Sequence, residues 1–297
     1  MDEVEGEHAL AFLDNEHIAL ARASYIGDQL DCWWIEVFRI PPTIGETGPR
    51  VRFWLPEFVQ WISCIEFTLR CEPNGPTIDP PSRDGSTPFA SHPSHNLLEL
   101  FIHCRDGHMT NWPFRVYMLT SKLLSLYEGA LRDSPGLTGV TMEDWLPEST
   151  RWFPHVYTNP LVCHIHGQRF LTVSANRMQL SILDFNPCLL ARSQSEESGT
   201  PGPTGSVEEV FVTESSVHAI PSVFSGVFES ALPYREIRLP FSLTTLPSPE
   251  ECGGLMLDSE RIIVVGVSSM GWIQTIGVSS LKRSHRRSTV TLFNVQS

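Results

Sequence analysis

The chain has 297 residues, with 21 Lys+Arg against 34 Asp+Glu for a formal charge of −13. That acidic balance argues against a coat for nucleic acid or for an anionic membrane. Charged residues make up 19%, Pro (23) outnumbers Gly (20), and Trp (8) and Phe (16) are plentiful, a mixture that excludes a wholly disordered chain and a helix bundle.

The first segment is acidic, with Asp2, Glu3, Glu5, Glu7, Asp14 and Glu16 ahead of the first arginine, Arg22. It lacks the basic-then-apolar pattern of a secretory leader. The longest aliphatic run, residues 262–267, is far short of the roughly 20 residues that span a bilayer. No Asn-x-Ser/Thr acceptor occurs. These features predict a cytoplasmic or nuclear protein. The seven cysteines (32, 64, 71, 104, 163, 188 and 252) are odd in number and lack a C-x-x-C pair, so they read as reduced, buried thiols.

Short runs rich in Val, Ile, Phe and Trp then alternate with polar residues. Examples are Trp34-Ile-Glu-Val-Phe-Arg-Ile40, Cys64-Ile-Glu-Phe-Thr-Leu69, Leu98-Glu-Leu-Phe-Ile-His103 and Gln179-Leu-Ser-Ile-Leu-Asp184. Period-two alternation bounded by Gly, Pro and Asn predicts strands. Residues 59–62 and 141–145 are the helical candidates. Residues 73–96, with six Pro, and residues 192–206, rich in Ser, Gly and Pro, read as flexible loop insertions. Shorter Pro-rich breaks fall at 41–49 and 246–254. The expected fold is all-β, a single domain over residues 1–297.

A loose repeat sharpens that expectation. Four times a turn leads into an apolar strand, a short loop and a second apolar strand. The copies pair residues 13–22 with 32–39, 97–106 with 114–119, 166–173 with 179–186, and 257–267 with 288–295. The first and fourth share an Asp-x-Glu-(His/Arg)-Ile turn, at Asp14 and Asp258. Such a unit matches the inner strands of a propeller blade, whose partner strand ends in a side chain that bonds back to the turn. The copies start about 70–90 residues apart, against ~40–45 for a compact blade, so the Pro-rich segments become excursions between strands. The prediction is a partial WD40-like β-propeller of about four blades, with a fifth poorly marked between residues 207 and 240. A sandwich of hairpins is the alternative. Unpaired blade edges make a partial propeller a poor free-standing domain.

Motifs for chemistry fall short. In Cys163-His-Ile-His166 a strand would put the two histidines on one face and Cys163 on the other, with no second cluster to complete a metal site. Gly266-Val-Ser-Ser-Met-Gly271 has one residue too many for a nucleophile elbow, and no helical pattern follows it. No P-loop, G-x-G-x-x-G or H-E-x-x-H occurs. The expectation is a non-enzymatic chain with no cofactor and no metal. The basic cluster Lys282-Arg-Ser-His-Arg-Arg287 is expected on a loop before the last strand. There Lys282, Arg283, Arg286 and Arg287 are candidates to bind an acidic or phosphorylated peptide, the alternative being a solvated loop.

Five phrases occur in order: Asp144-Trp-Leu-Pro-Glu-Ser-Thr-Arg-Trp-Phe153, Cys163-His-Ile-His-Gly-Gln-Arg-Phe170, Leu183-Asp-Phe-Asn-Pro187, Ser230-Ala-Leu-Pro-Tyr-Arg-Glu236 and Leu257-Asp-Ser-Glu-Arg-Ile262. This set resembles the C-terminal, propeller-like region of the F-box protein family of mushroom-forming fungi, over about the last half of the chain. The resemblance implies a substrate-receptor or interaction module of a ubiquitin ligase. Residues 1–40 depart from that family, because they carry no F-box helix for a Skp1-type adaptor. The expected function is therefore a non-enzymatic protein-interaction propeller, truncated and without its adaptor-binding F-box, with unidentified protein partners. The alternative is an enzyme on a propeller or sandwich, such as a carbohydrate-active hydrolase. Lys122 and Lys282 are the only lysines. Their scarcity fits limited self-modification beside a ligase, and equally a biased codon usage.

Overall fold

The computed structural model describes residues 4–5, 9–26, 29–41, 43, 48–71, 96–133, 138–154, 165–173, 179–187, 208–242, 252–257, 261–267, 273–284 and 287–293. The chain runs through β1 (Val4–Glu5), β2 (Ala9–Phe12), β3 (His17–Ile26), β4 (Gln29–Arg39), β5 (Arg50–Trp54), β6 (Ser63–Cys71), β7 (Leu97–Arg105) and β8 (Asn111–Leu119). Helix α1 (Thr120–Asp133), β9 (Thr138–Val140) and helix α2 (Met142–Ser149) follow, then β10 (Thr150–Pro154), β11 (Ile165–His166), β12 (Arg169–Val173) and β13 (Gln179–Asp184). The remainder is β14 (Glu208–Val212), β15 (Ser216–His218), β16 (Phe228–Ser230), β17 (Tyr234–Ser242), β18 (Cys252–Leu257), β19 (Arg261–Val267), β20 (Ile273–Ser284) and β21 (Arg287–Phe293). The fold is mostly β. Neither helix is long and apolar enough to cross a membrane. The loop insertions 73–96 (Asn96 excepted) and 192–206 lie outside the described residues.

The chain divides into two compact units. The first comprises residues 1–85, 92–155 and 213–232, and the second residues 86–91, 156–212 and 233–297.

In the first unit β2, β3, β4 and β5 pair antiparallel in sequence order, with β1 also on β3 and β9 added parallel to β5. A second antiparallel sheet runs β6-β7-β8-β10, and β15 pairs β16. Alternation decides what is buried. Ala19 and Ala21, Ile35 and Val37, and Val51 and Phe53 face inward from three neighbouring strands, joining Leu98, Leu100, Ile102, Val116 and Met118 in one core. Aromatic rings fill its centre: Trp33 stacks on Phe58 (centroids 4.6 Å apart), Phe58 on Phe224 (5.3 Å), and Trp152 meets Phe228 edge-on (4.8 Å). Burying each such side chain stabilises the fold by about 1.5–3 kcal/mol.

In the second unit one sheet has the order β11-β12-β13-β17-β14, and β18, β19, β20 and β21 form a four-stranded antiparallel sheet. The β11–β12 hairpin turns at Gly167, whose φ of 59° lies in the left-handed region that a Cβ disfavours.

The hairpins expected from the first three repeats are present, as β3–β4, β7–β8 and β12–β13. Each closes in the same way. The residue after the second strand donates its N–H to the carbonyl just before the first: Ile40 to Glu16, Thr120 to Asn96, and Phe185 to Gln168. In the first copy the Asp14 carboxylate also accepts the N–H groups of Glu16 and His17 (both 2.7 Å), and Arg39 at the end of β4 reaches back to Glu16.

Of the all-β expectation the structure shows a mostly β fold of several open sheets, with no propeller among the described residues. Three expectations need correction. In the fourth copy the two predicted strands are not neighbours, because β20 lies between β19 and β21. Residues 59–62 are not helical: a bridge joins Phe58 to Phe224, and a turn follows in which Trp61 has φ of 84°. Helix α1 was not expected. Its buried Leu123 and Tyr127 stand one turn apart, with Leu124, Ala130 and Leu131 half-buried against the core, but the pattern starts where the apolar run of β8 stops. The other helical segment, 141–145, does form the start of α2, where Glu143 and Asp144 complement the helix dipole.

Candidate functional site

The family-like phrases prove to be structural ties. Gly167 makes the β11–β12 turn that leads to Arg169. Buried Asp184 of the Asp-Phe-Asn-Pro phrase lies 3.5 Å from Arg169 and accepts a hydrogen bond from Arg235 (3.1 Å) of the Leu-Pro-Tyr-Arg-Glu phrase, while Phe185 and Tyr234 pack ring to ring. In the first unit the Trp145 indole donates to the Trp54 carbonyl (2.8 Å), Thr150 Oγ1 to the Leu146 carbonyl (2.7 Å), and Arg151 to the carbonyls of Glu214 and Ser230. These residues join distant strands and leave little to act on a ligand.

The described residues of the basic cluster lie in strands, not in a loop. Lys282 and Arg283 end β20 and Arg287 begins β21, paired as Lys282 with Thr289, Arg283 with Ser288 and Ser284 with Arg287. Period-two sequence on both sides, as in Ser288-Thr-Val-Thr-Leu, carries the ladder through it. Arg286 lies outside the described residues, as do Cys163, His164 and residues 268–271. His166 is half-buried on β11 beside buried Ile165, in the alternation expected of a strand. Among the described residues no group of three His, Cys, Asp or Glu could hold a metal ion. Among the described cysteines Cys32 and Cys71 are half-buried and Cys104 is fully buried.

Ser230 and His218 form a hydroxyl–imidazole pair (2.8 Å) inside the first unit. The serine has no exposed surface and also accepts the Trp152 N–H. Burial, and then the nearby Arg151 charge, lower the His218 pKa from 6.5 to about 4. A buried neutral histidine of this kind ties β15 to β16 and is closed to substrate.

An accessible site does exist in the first unit. A cavity of about 540 Å³ is lined by Cys32 and Trp33 from β4, the segment 54–57 that leaves β5, residues 141–143 at the start of α2, and Ser225, Gly226 and Phe228 ahead of β16. Its volume is in the range of small-molecule and side-chain pockets. Antiparallel pairing puts the start of β4 and the end of β5 side by side, with Trp34 opposite Trp54. Backbone bonds fix the walls: Leu55 N–H to the Trp33 carbonyl (3.3 Å), Ser225 N–H to the Glu57 carbonyl (2.9 Å), and the Trp33 indole to the Pro56 carbonyl. Gly139 lets the Trp54 indole lie close, since a Cβ there would meet Nε1 at 2.9 Å.

The apolar lining is aromatic, and its polar rim accepts hydrogen bonds. Glu57 and Glu143 contribute carboxylates. Thr141 Oγ1 spends its proton on Asp144 (2.8 Å), and Ser225 Oγ spends its own on Glu57, so both hydroxyls offer lone pairs. No Lys, Arg or His is among the described lining residues. Sequence reasoning missed this site, because its four segments lie up to about 200 residues apart. The one local signal was the Trp54-Leu-Pro-Glu57 phrase, where a strand stops at a proline. No protein-family model, curated protein or solved structure matches the chain.

Proposed function

We propose that the chain is a protein-interaction module, a scaffold or substrate receptor, built from propeller-type blades. The observation that supports this reading is the recurrent run of four antiparallel strands: β2-β3-β4-β5 within a six-stranded sheet, β6-β7-β8-β10 with α1, β9 and α2 between its last two strands, and β18-β19-β20-β21. A four-stranded meander has the form of one blade, and blades present partners with their connecting loops. The aromatic cavity built from such connections in the first unit, and the exposed Trp61 and Met109 at left-handed backbone positions, favour a contact surface. The resemblance to fungal F-box proteins supports a role for such a module beside a ubiquitin ligase, in cytoplasm or nucleus. The role is non-enzymatic and needs no cofactor. The basic β20–β21 hairpin is a second contact, for acidic or phosphorylated peptides.

Panning the folded protein against a random dodecapeptide phage library tests the reading. Enrichment of a consensus that loses binding to the Trp54→Ala variant supports it. Enrichment of no consensus, or of one that binds heat-unfolded protein equally, contradicts it.

A further inference from the structure

We infer that the cavity of the first unit is an arginine-binding pocket, which takes a guanidinium side chain presented by a partner protein. The inference rests on the interaction-module reading and names its ligand chemistry. Three features of the same walls converge on it.

The first is the hydrogen-bond inventory of the rim. Two carboxylates and two hydroxyls whose protons are already engaged make a ring of acceptors. The Trp33 indole N–H is spent on Pro56 and the Ser225 and Leu55 amides on other carbonyls, so these donors are closed to a ligand. A ligand that pairs with these four acceptors must bring donors. Guanidinium brings five in a planar fork and accepts none.

The second is charge. Glu57 and Glu143 both line the cavity, one following β5 and one from the first turn of α2, with no described cation on the lining. Glu57 is fixed by the Ser225 hydroxyl (3.3 Å). A cation entering between them makes charge-assisted bonds, whereas an anion meets repulsion.

The third is the lining. Trp33, Trp54, Leu55, Met142 and Phe228 provide apolar and aromatic surface below the rim. The arginine stem packs on apolar walls, and its flat head group stacks on indole better than an ammonium does. The first unit already uses this pairing, with the Arg52 guanidinium carbon 5.1 Å from the Trp34 ring centroid.

Cys32 supplies a local reporter, because its half-buried side chain lies on the cavity wall. The experiment measures the rate of iodoacetamide alkylation at Cys32 by peptide mass spectrometry in the full chain. The probes are N-acetylarginine methylamide, its neutral isostere N-acetylcitrulline methylamide, and N-acetylglutamate methylamide. The arginine probe should slow alkylation at about tenfold lower concentration than the citrulline probe, the worth of one charge-assisted hydrogen bond. The glutamate probe should not slow it. In the Glu57→Gln/Glu143→Gln variant the arginine and citrulline probes should become equivalent. Equal protection by arginine and citrulline in the native chain, or an arginine advantage that survives the double substitution, overturns the inference. A panned consensus without arginine that protects no Cys32 removes the pocket and leaves the interaction module standing. Arginine-selective protection with no panned consensus leaves the pocket as a small-molecule site and removes the module.

Discussion

Two sheets of the first unit each carry a carboxylate on the face turned away from the shared core, and they treat it in opposite ways. On β4, Glu36 is 1% exposed beneath Arg22 (3.4 Å), Arg52 (3.5 Å) and Arg50 (4.0 Å), whose own side chains are 19%, 32% and 42% exposed. On β7, Glu99 has no exposed surface, pairs with equally buried Arg115, and accepts the Tyr117 hydroxyl (3.1 Å). There Arg115 also lies over Phe101 (4.7 Å), and Tyr117 packs on Phe153. Burial, and then the Glu99 charge, push the Tyr117 pKa well above its usual value. The first face is a fringe of cations that shields one carboxylate and keeps its outer atoms in water. The second is a closed interior on both sides of β7 and β8. An ion pair thus marks where a sheet face meets solvent in one case and where it is enclosed in the other.

The sharpest way to break this contrast is to remove one partner of the closed pair. Arg115→Met leaves Glu99 buried without its cation and should cost about 3–5 kcal/mol in urea unfolding. Adding Glu99→Met should restore much of that loss. A cost below 1 kcal/mol for Arg115→Met would mean that the face is wet.

His218 tests dryness in the adjoining core. Its pKa is 6.5 in an unfolded chain and about 4 in the fold, so as pH falls from 6.5 towards 4 the unfolded state binds the proton first. Stability contributed by neutral His218 is present above pH 6.5 and lost through that window, by about 3 kcal/mol in all. His218→Gln should flatten this part of the pH–stability curve. A slope unchanged in the variant would place the titration elsewhere.

The open face should respond less. Glu36→Gln should cost about 1 kcal/mol, and 1 M salt should shrink the difference because its partners are half in water. A cost equal to that of Arg115→Met would erase the distinction between the faces. The smallest effect expected is at Trp61, 70% exposed with φ of 84°. Trp61→Gly should gain up to about 1 kcal/mol by relieving the left-handed backbone. A loss would show that the indole packs more than its exposure implies.

The same contrast explains what the sequence revealed. Where one face is open, as in Trp34-Ile-Glu-Val-Phe-Arg, residues alternate and the strand is readable. Where both faces are buried, as in Leu97-Leu-Glu-Leu-Phe-Ile, the alternation rests on the single buried charge Glu99, and apolar content carries the rest of the strand signal. Helix α1 was lost for a related reason, since its apolar positions continue directly from β8. Turn chemistry was readable at Asp14, whose carboxylate caps the turn as its position suggests. The phrases around Trp145, Arg169, Asp184 and Arg235 hold residue pairs that join separate segments of the chain, so in the structure they serve the fold. The cavity gave no such signal. Glu57 and Ser225 are ordinary loop residues, and Glu143 an ordinary first-turn residue of α2, until β4–β5 pairing, the Trp145–Trp54 bond and the Phe58–Phe224 bridge bring them to one place.

The central claim is that partners are bound at that cavity, and hydrogen exchange on the complex tests it most directly. Mass spectrometry of amide exchange, with and without a panned arginine-bearing peptide, should show slowed exchange in peptides covering residues 54–57, 141–143 and 225–228. Little change is expected along β7 and β8, where amides are already enclosed. Protection confined to the Arg50 and Arg52 face of β5, or absent from all three cavity segments, would contradict the account.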